Sequence, residues 1–290
     1  MIIVQLSGGF GNQLFQYAAG LSLAEHRKVD IKVDISLLLN PDIVTGTIRQ
    51  LDIFNLLNPP QKATEQEINF FTDLPLGSKY FEKCRPFYKR KVYKEKSNQF
   101  DNNFFNAGDN LLLKGNRQSE KYFKKYETKI KAEFSLAEKW ITPVKHIGER
   151  FRQQNSISVH IRRGDYLTPV ALQWLGLLPI SYYSKGIEIV AKNQQQGKFY
   201  IFSDDIEWTK QNLHIPHNHE FVSGILTKNS MEDFYLMSQC RHNVIANSTF
   251  SWWAAWLNSY EKKIVIAPKQ WYNKANLDTS DLIPESWIRL

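Results

Sequence analysis

The chain has 290 residues, of which 42% are hydrophobic and 23% charged, and its formal net charge is +8. No apolar run of about 18 residues occurs, which excludes a membrane-spanning helix, and the two distant cysteines argue against a disulfide framework or a zinc site. The positive charge favours an anionic partner, which could be a nucleotide, a nucleic acid or a membrane surface.

The length accommodates two domains of about 150 residues each. The weakly patterned segment around Pro143 is the best boundary, so the expected domains are residues 1–150 and 151–290. The first residues lack a basic region followed by a long apolar run, so no signal peptide is expected. Together with the cysteine usage, this predicts a cytoplasmic protein.

The chain begins with a predicted strand at residues 2–6, a glycine-rich loop and a helix over residues 13–26. In this arrangement backbone N–H groups and a helix N-terminus can meet an anion or a polar substrate. The loop is not a complete dinucleotide fingerprint, because Leu14 stands where the third glycine belongs. The amides of Asn12 and Gln13 are expected to be exposed, which favours a binding loop over a plain turn.

The remainder of the first half has weaker patterns. Strands are predicted at residues 28–35 and 111–114, and the second leads into a polar and aromatic loop over residues 115–123. The basic stretch at residues 89–96 is interpreted as a solvated face, with contact to nucleic acid as the alternative.

A strand with alternating β-branched residues is predicted from residue 156 to 161, followed at once by Arg162, Arg163, Gly164 and Asp165. Because open α/β sheets bind ligands at the carboxyl ends of their strands, one interpretation is a diphosphate clamp. In it Arg162 binds the ligand, Gly164 makes the turn and Asp165 holds the second arginine or the next helix. The other interpretation is an ion-paired strand end without a ligand. His160 shares a face with Arg162.

Polar residues follow later predicted strands in the same way. Residues 198–203 form a strand that ends at Asp204 and Asp205, which serve either a ligand or the N-cap of the next helix. A helix opens at Ser230, and a buried strand at residues 243–246 runs into a hydroxyl-rich loop and three tryptophans assigned to the core. The alternation of strands and helices predicts a doubly wound parallel sheet.

Four motifs occur in order: GGFGNQLFQYA at 8–18, HIRRGDY at 160–166, FSDD at 202–205 and NSTFSWW at 247–253. Together they resemble the bacterial α-1,2-fucosyltransferases of glycosyltransferase family 11, over residues 2 to about 272. The resemblance implies an α/β fold with two Rossmann-like domains facing across a cleft, the glycosyltransferase B type. Residues 1–150 would be the acceptor-side domain with the glycine-rich loop, and residues 151–290 the GDP-fucose-binding domain.

The implied activity is that of a galactoside 2-α-L-fucosyltransferase. L-Fucose would move with inversion from GDP-β-L-fucose to the 2-hydroxyl of a terminal or internal galactose. Carried over by position, His160 would contact guanine and Arg162 the β-phosphate, while Asp233 would reach the base or ribose. The remaining donor contacts implied by the resemblance are Asn12, Thr249, Phe250 and Ser251.

The acceptor would lie largely on the N-terminal domain, with Gln118 and Glu120 as contacts. Related chains often carry an aromatic residue where this one has Arg117, a departure that bears on the acceptor and not on the donor. The acceptor partner would be a galactose-containing oligosaccharide or a lipid-linked glycan.

No Asp-x-Asp metal motif is present, so Arg162 is expected to stabilise the leaving diphosphate without a metal ion and without another cofactor. Arg162 and Asp165 are the predicted catalytic residues. Asp165, the carboxylate nearest the clamp, is one candidate for the general base, and Glu120 and Glu232 are the other candidates.

Two alternatives come from other classes, and a third is another transferase of the same fold. A nucleic-acid-binding protein would use the basic charge, although no nucleic-acid motif is present and nucleic acid is not an expected partner. An oxidoreductase would use the glycine loop, and another nucleotide-sugar transferase of this fold would use the whole framework. The basic surface has a simpler expected use, which is peripheral contact with the anionic inner face of a membrane.

Overall fold

The computed structural model describes residues 1–39, 48–194, 196–273 and 277–290. These residues form two compact units. The first contains Met1–Ser135 with Asp278–Pro284, and the second contains Leu136–Leu277 with Glu285–Leu290. The boundary therefore lies at residue 135 and not at 150, because the helices that follow Ser135 pack on a helix of the second unit.

In the first unit, the described residues form a four-stranded, all-parallel sheet flanked by helices. The strands are β1 (Ile2–Gln5), β2 (Ile31–Asp34), β3 (Val92–Lys94) and β4 (Leu111–Lys114), in the spatial order β2-β1-β4-β3. The helices are α1 (Phe10–Arg27), α2 (Glu65–Thr72), α3 (Leu76–Cys84) and α4 (Glu127–Glu133). Short 3-10 helices lie at Ser36–Leu39, Asp52–Asn55, Phe87–Lys89, Phe104–Asn106, Glu120–Tyr122 and Lys124–Tyr126.

Helix α1 forms where the apolar 3.6-residue period predicts it, but it begins at Phe10, three positions before the expected start. Gly9 is extended and serves as the N-cap, so the helix starts inside the glycine loop. Lys28 closes the helix in the left-handed conformation, with φ of 56°. Gly20 lies so close to β1 that an added Cβ would overlap the Val4 side chain.

In the second unit, the described residues form a six-stranded, all-parallel sheet. Its strands are β5 (Ser156–Ile161), β6 (Lys198–Ser203), β7 (His219–Phe221), β8 (His242–Val244), β9 (Val265–Ala267) and β10 (Ile288–Arg289). Its helices are α5 (Glu138–Ile141), α6 (Lys145–Gln153), α7 (Pro169–Trp174), α8 (Ile180–Asn193), α9 (Ile206–Asn212), α10 (Ser230–Gln239) and α11 (Thr249–Leu257), with 3-10 helices at Thr142–Val144 and Gly164–Leu167.

The strand order β10-β9-β8-β5-β6-β7 places the first strand of the unit, β5, between β6 and β8. The chain therefore winds outward from β5 in one direction and from β8 in the other, and the direction reverses between these two strands. Ligands of doubly wound sheets bind at the carboxyl edge of this reversal. In the first unit β1 lies between β2 and β4, and the chain reaches β4 from the edge strand β3. The predicted parallel α/β fold is confirmed.

The core of the second unit lies between the sheet and its helices. Every residue of β5 is buried, as expected for a central parallel strand covered on both faces. The tryptophans Trp252, Trp253 and Trp256 are buried in α11, which confirms their assignment to the core. Within the described residues, no helix combines the length and the apolar character needed to cross a bilayer.

The Gly20→Ala variant is expected to lower the free energy of unfolding by about 1–3 kcal/mol, because the new methyl group overpacks the contact between α1 and β1. Urea unfolding followed by circular dichroism measures the change. Gly77→Ala in α3 is the matched control: its Cβ meets nothing within 4 Å, so alanine should be neutral or stabilise the helix slightly. Equal effects of the two substitutions would contradict this packing.

Candidate active site

Arg162 follows β5 directly and is held between two carboxylates. Its Nη2 donates to Asp165 Oδ1 at 2.5 Å, and its Nη1 lies 3.0 Å from Asp204 Oδ2. Burial alone would lower the pKa of Arg162, but Asp204 and Asp165 outweigh it and raise the pKa, so the guanidinium stays charged. These bonds use only part of the N–H donors of a guanidinium and fix its plane at the strand end.

Arg163 has different neighbours from Arg162. Its Nε donates to Asp205 Oδ2 at 3.2 Å, and its guanidinium lies 3.5 Å from the centre of the Trp208 ring. Asp165 was expected to hold the second arginine or the next helix; in the structure it binds Arg162, and Asp205 binds Arg163. Asp205 is also the N-cap of α9, accepting from the Trp208 N–H at 3.3 Å.

Gly164 is required at the turn because Asp204 occupies the space beside it. A Cβ at Gly164 would overlap the Asp204 carboxylate. That carboxylate also accepts from the Arg163 backbone N–H at 2.8 Å, which ties the turn after β5 to the end of β6. The two polar strand ends therefore form one cluster at the carboxyl edge of the sheet.

His160 is the next-to-last residue of β5 and is only 5% exposed. Burial and the charge of Arg162 lower the pKa of His160 to about 3, so the imidazole is neutral at any ordinary working pH. Its ring centre lies 5.9 Å from that of Phe250, which in turn packs against Phe234 at 5.2 Å. In the described part of the chain, His160 Nδ1 has no hydrogen-bond partner although it is buried.

Asp233 in α10 is held by two hydroxyl groups that sequence reasoning missed. Ser223 Oγ donates to one carboxylate oxygen at 2.7 Å, and Thr227 Oγ1 donates to the other at 2.5 Å. Ser223 Oγ also accepts from the Ser203 N–H at the end of β6. Burial raises the pKa of Asp233 to about 6, although the two hydroxyl bonds oppose the rise.

The N-terminus of α10 differs from the predicted one. Asn229, not Ser230, is the N-cap, and its side chain accepts from the N–H groups of Met231 and Glu232. The Glu232 carboxylate accepts from the Lys228 N–H at 2.6 Å and from Asn229 Nδ2 at 2.9 Å. Glu232 is 4% exposed and is committed to this capping arrangement, so its geometry does not favour a role as general base.

Helix α11 begins at the carboxyl end of β8, on the other side of the reversal from Arg162. Its N-cap Ser248 makes no side-chain capping bond, and its first turn contains no acidic residue. The predicted residues Thr249, Phe250 and Ser251 form this first turn. A helix start of this kind presents backbone N–H groups and a positive dipole end to an anion.

In the first unit, the loops after β1 and β4 meet. Gln118 Nε2 donates to Asn12 Oδ1 at 3.0 Å. The expectation of an exposed Gln13 is wrong: this side chain is 0% exposed and bonds the carbonyls of Gly8 and Gln50. Gln13 therefore shapes the loop, while the half-buried Asn12 lies at its polar edge.

Arg117 is buried beneath the loop and only 1% exposed. Its guanidinium lies 4.3 Å from the Tyr93 ring centre, with Phe104 and Tyr122 also around it. The Glu95 carboxylate accepts from the backbone N–H groups of Asn116 and Arg117 at 2.7 and 2.9 Å. Arg117 thus supports the loop from within its aromatic surroundings.

Across the described ranges, no group of three or more His, Cys, Asp or Glu side chains is arranged to hold a metal ion. The polar clusters at the sheet edges consist instead of arginine–carboxylate pairs, hydroxyl–carboxylate pairs and amides.

The parallel sheets with polar carboxyl edges define an α/β protein in which each unit offers a candidate ligand-binding edge. The fold resembles the solved structure of an Arabidopsis thaliana FUT1 variant in complex with GDP, with a TM-score of 0.52 and 13% sequence identity. That similarity covers 91% of this chain and 69% of the FUT1 chain.

Residues 78–290 match the family model "Glycosyl transferase family 11", and the chain belongs to this family. It is 33% identical to an α-1,2-colitosyltransferase of Escherichia coli, over 100% of this chain and 99% of that protein. It is 26% identical to the galactoside α-(1,2)-fucosyltransferase 1 of Leontocebus fuscicollis, over 86% of this chain and 63% of that protein. The resemblance inferred from the four motifs is confirmed.

The pH dependence of the free energy of unfolding tests whether burial raises the pKa of Asp233. The unfolded carboxyl titrates near pH 4, and the folded one at about 6, so the wild type loses stability as the pH rises between these values. The free energy of unfolding of Asp233→Asn relative to the wild type should therefore increase by about 1–3 kcal/mol from pH 4 to 6 and then level off.

Urea unfolding at a series of pH values measures this difference. Asp109→Asn, at an exposed position, controls for the change in net charge. A difference between Asp233→Asn and the wild type that does not vary with pH would contradict the raised pKa.

Proposed function

We propose that the protein is an inverting, metal-independent glycosyltransferase that moves L-fucose from GDP-β-L-fucose to the 2-hydroxyl of a galactose in a glycan. The observation that carries this proposal is the Arg162 guanidinium, held at the β5 carboxyl end by Asp165 and Asp204 beside the strand reversal. Family membership supports the reaction class.

The donor nucleotide is assigned to the edge between β5 and β8. Arg162 would bind the β-phosphate, and the first turn of α11 would supply N–H groups to the diphosphate. The neutral, buried His160 with its unbonded Nδ1 suits a hydrogen bond to guanine, and the adjacent Phe250 suits packing against a nucleoside.

In the proposed reaction, the acceptor hydroxyl oxygen attacks C1 of fucose from the face opposite the diphosphate. The bond between C1 and the β-phosphate oxygen breaks, and GDP leaves with the electron pair. A fixed cation must stabilise the charge that develops on the leaving oxygen. Arg162 is suited to this role because its carboxylate partners orient it before the donor arrives.

Asp165 is one of the two proposed catalytic residues, and its bond to Arg162 favours a positioning contribution. The acceptor proton still requires a carboxylate or water. Glu120 begins the 3-10 helix after the Gln118 loop in the first unit, and its carboxylate lies 3.4 Å from Lys124 Nζ. We assign the acceptor to the polar edge of that unit, with Gln118 and Glu120 as contacts, and Asn12 beside them to the donor.

The relatives support α-1,2 transfer, and they differ in the sugar named. One is called a colitosyltransferase and the other a galactoside fucosyltransferase. Colitose lacks one hydroxyl group of fucose, so a donor site that hydrogen-bonds this hydroxyl would reject colitose strongly. Because one relative is named for colitose, a nucleotide-activated colitose is the second candidate donor. The rates of transfer from this donor and from GDP-fucose to the same acceptor distinguish the two candidates.

Arg162→Lys is expected to reduce the turnover number for fucosyl transfer by about 10²–10³-fold, because a point charge cannot replace the guanidinium held by two carboxylates. Transfer from GDP-fucose to galactosides, measured by GDP release and product analysis, gives the rate. Arg163→Lys is the matched control. Because Arg163 pairs with Asp205 and Trp208, its replacement should retain most of the activity. Equal losses in both variants would contradict the assignment.

Metal independence is tested on the wild-type enzyme. Excess EDTA should leave the turnover number and GDP binding unchanged, because Arg162 supplies the cation in the proposed reaction. Calorimetric titration with GDP, with and without EDTA, measures the affinity for GDP. Binding that requires added Mg²⁺ or Mn²⁺ would overturn this part of the proposal, even if fucosyl transfer itself is observed.

A further inference from the structure

A basic cavity lies in the first unit, next to the amino ends of β3 and β4. It has a volume of about 690 Å³. Among its lining residues are five cations: Arg27, Arg85, Lys89, Arg90 and Lys91. Between residues 80 and 96, seven side chains are Lys or Arg and two are Glu, so this short stretch carries +5 of the chain's net charge of +8. Ligands of the proposed reaction are assigned to the opposite, carboxyl ends of the strands.

The acidic groups near the cavity are few. Glu82 pairs with Arg85 at 3.1 Å and accepts from the Lys91 N–H at 2.7 Å. Asp109 lines the cavity, and its backbone carbonyl accepts from the chain's N-terminal ammonium group at 2.8 Å. Two carboxylates therefore face five cations, which leaves the cavity strongly positive.

Helix α3 adjoins the cavity, and its large apolar side chains face the solvent and not the protein core. None of its described side chains is buried. Leu76, Tyr80 and Phe81 are 86%, 69% and 72% exposed. Glu82 lies on the other side of the helix and bonds the protein through the Arg85 and Lys91 contacts. A helix on a globular protein normally turns its apolar side inward, so this one presents an apolar face to something outside the first unit's core.

We propose that the apolar face of α3 and the adjoining basic cavity bind the surface of an anionic phospholipid bilayer. Leu76, Tyr80, Phe81 and the five cations of the cavity together form this basic-aromatic face. Aromatic and leucine side chains enter the boundary between headgroups and acyl chains, while clustered Lys and Arg attract anionic headgroups. Neither feature alone anchors a protein firmly, and the combination supplies the two signals that stable attachment requires.

Charge complementarity favours the bilayer over other occupants. Nucleic acid would match the cations but would leave an 86% exposed leucine without an apolar partner. A second copy of the chain could cover the apolar residues, but it would bring two clusters of like charge together. A bilayer surface offers anionic headgroups to the cations and the boundary of the acyl chains to the exposed apolar side chains.

Sedimentation with vesicles tests the proposal on the full chain, in the absence of donor and acceptor. The wild type should sediment with vesicles of phosphatidylglycerol and phosphatidylcholine in roughly equal parts, and not with phosphatidylcholine alone. Added salt should weaken the binding, because it screens the charges. Because no substrate is present, the result does not depend on the proposed function.

Two double variants locate the binding. Lys89→Glu with Lys91→Glu should weaken vesicle binding by at least about tenfold, and Tyr80→Ser with Phe81→Ser should do the same. The matched control is Lys192→Glu with Lys262→Glu, which makes the same charge change at exposed positions of the second unit and should retain binding. Circular dichroism confirms that each variant is folded.

Three results would overturn the proposal. The first is an absence of sedimentation with anionic vesicles, and the second is equal loss of binding in the control variant. The third is a dimer in sedimentation velocity without lipid that Tyr80→Ser with Phe81→Ser dissociates, because the face would then serve a second copy of the chain.

Discussion

The site depends on one constraint, which is that a guanidinium at the end of a buried strand must be held before any ligand arrives. Asp165 and Asp204 provide this restraint for Arg162 from two different loops. A half-buried cation with two carboxylate partners has little freedom to reorient, so the ordering of its long side chain takes place on folding and not on binding. Gly164 is part of the same constraint, since any side chain there would displace Asp204.

Both units place their polar residues in the same way. The sheets are parallel, and in each the first strand is an interior strand, with β1 beside β4 and β5 beside β8. Loops at these carboxyl edges carry side chains that bond one another, such as Gln118 to Asn12. Buried supports beneath the loops, including Arg117 and Gln13, keep the backbone in place while more exposed residues remain at the edge. Rigid strands thus position loops that the proposed chemistry can use.

Several residue assignments could not be made from the sequence. Asp165 was expected to hold Arg163 or the next helix, and the structure pairs it with Arg162. Ser223 and Thr227, which hold Asp233, come from the loop after β7 and carry no pattern that marks them. Gln13 belongs to a motif whose amides looked exposed, and yet it is buried. In each case the partner is chosen by the meeting of separate loops, which local spacing does not encode.

The sequence by itself determined the alternation of strands and helices, the parallel α/β class, the polar strand ends and the family. It could do so because apolar periodicity and motif order are properties of neighbouring residues. Only the tertiary structure decided which carboxylate binds which arginine, which polar groups are buried, and that α3 turns its apolar side outward. Those outcomes depend on contacts between distant segments, where burial and hydrogen-bond geometry select one pairing among several that the chain permits.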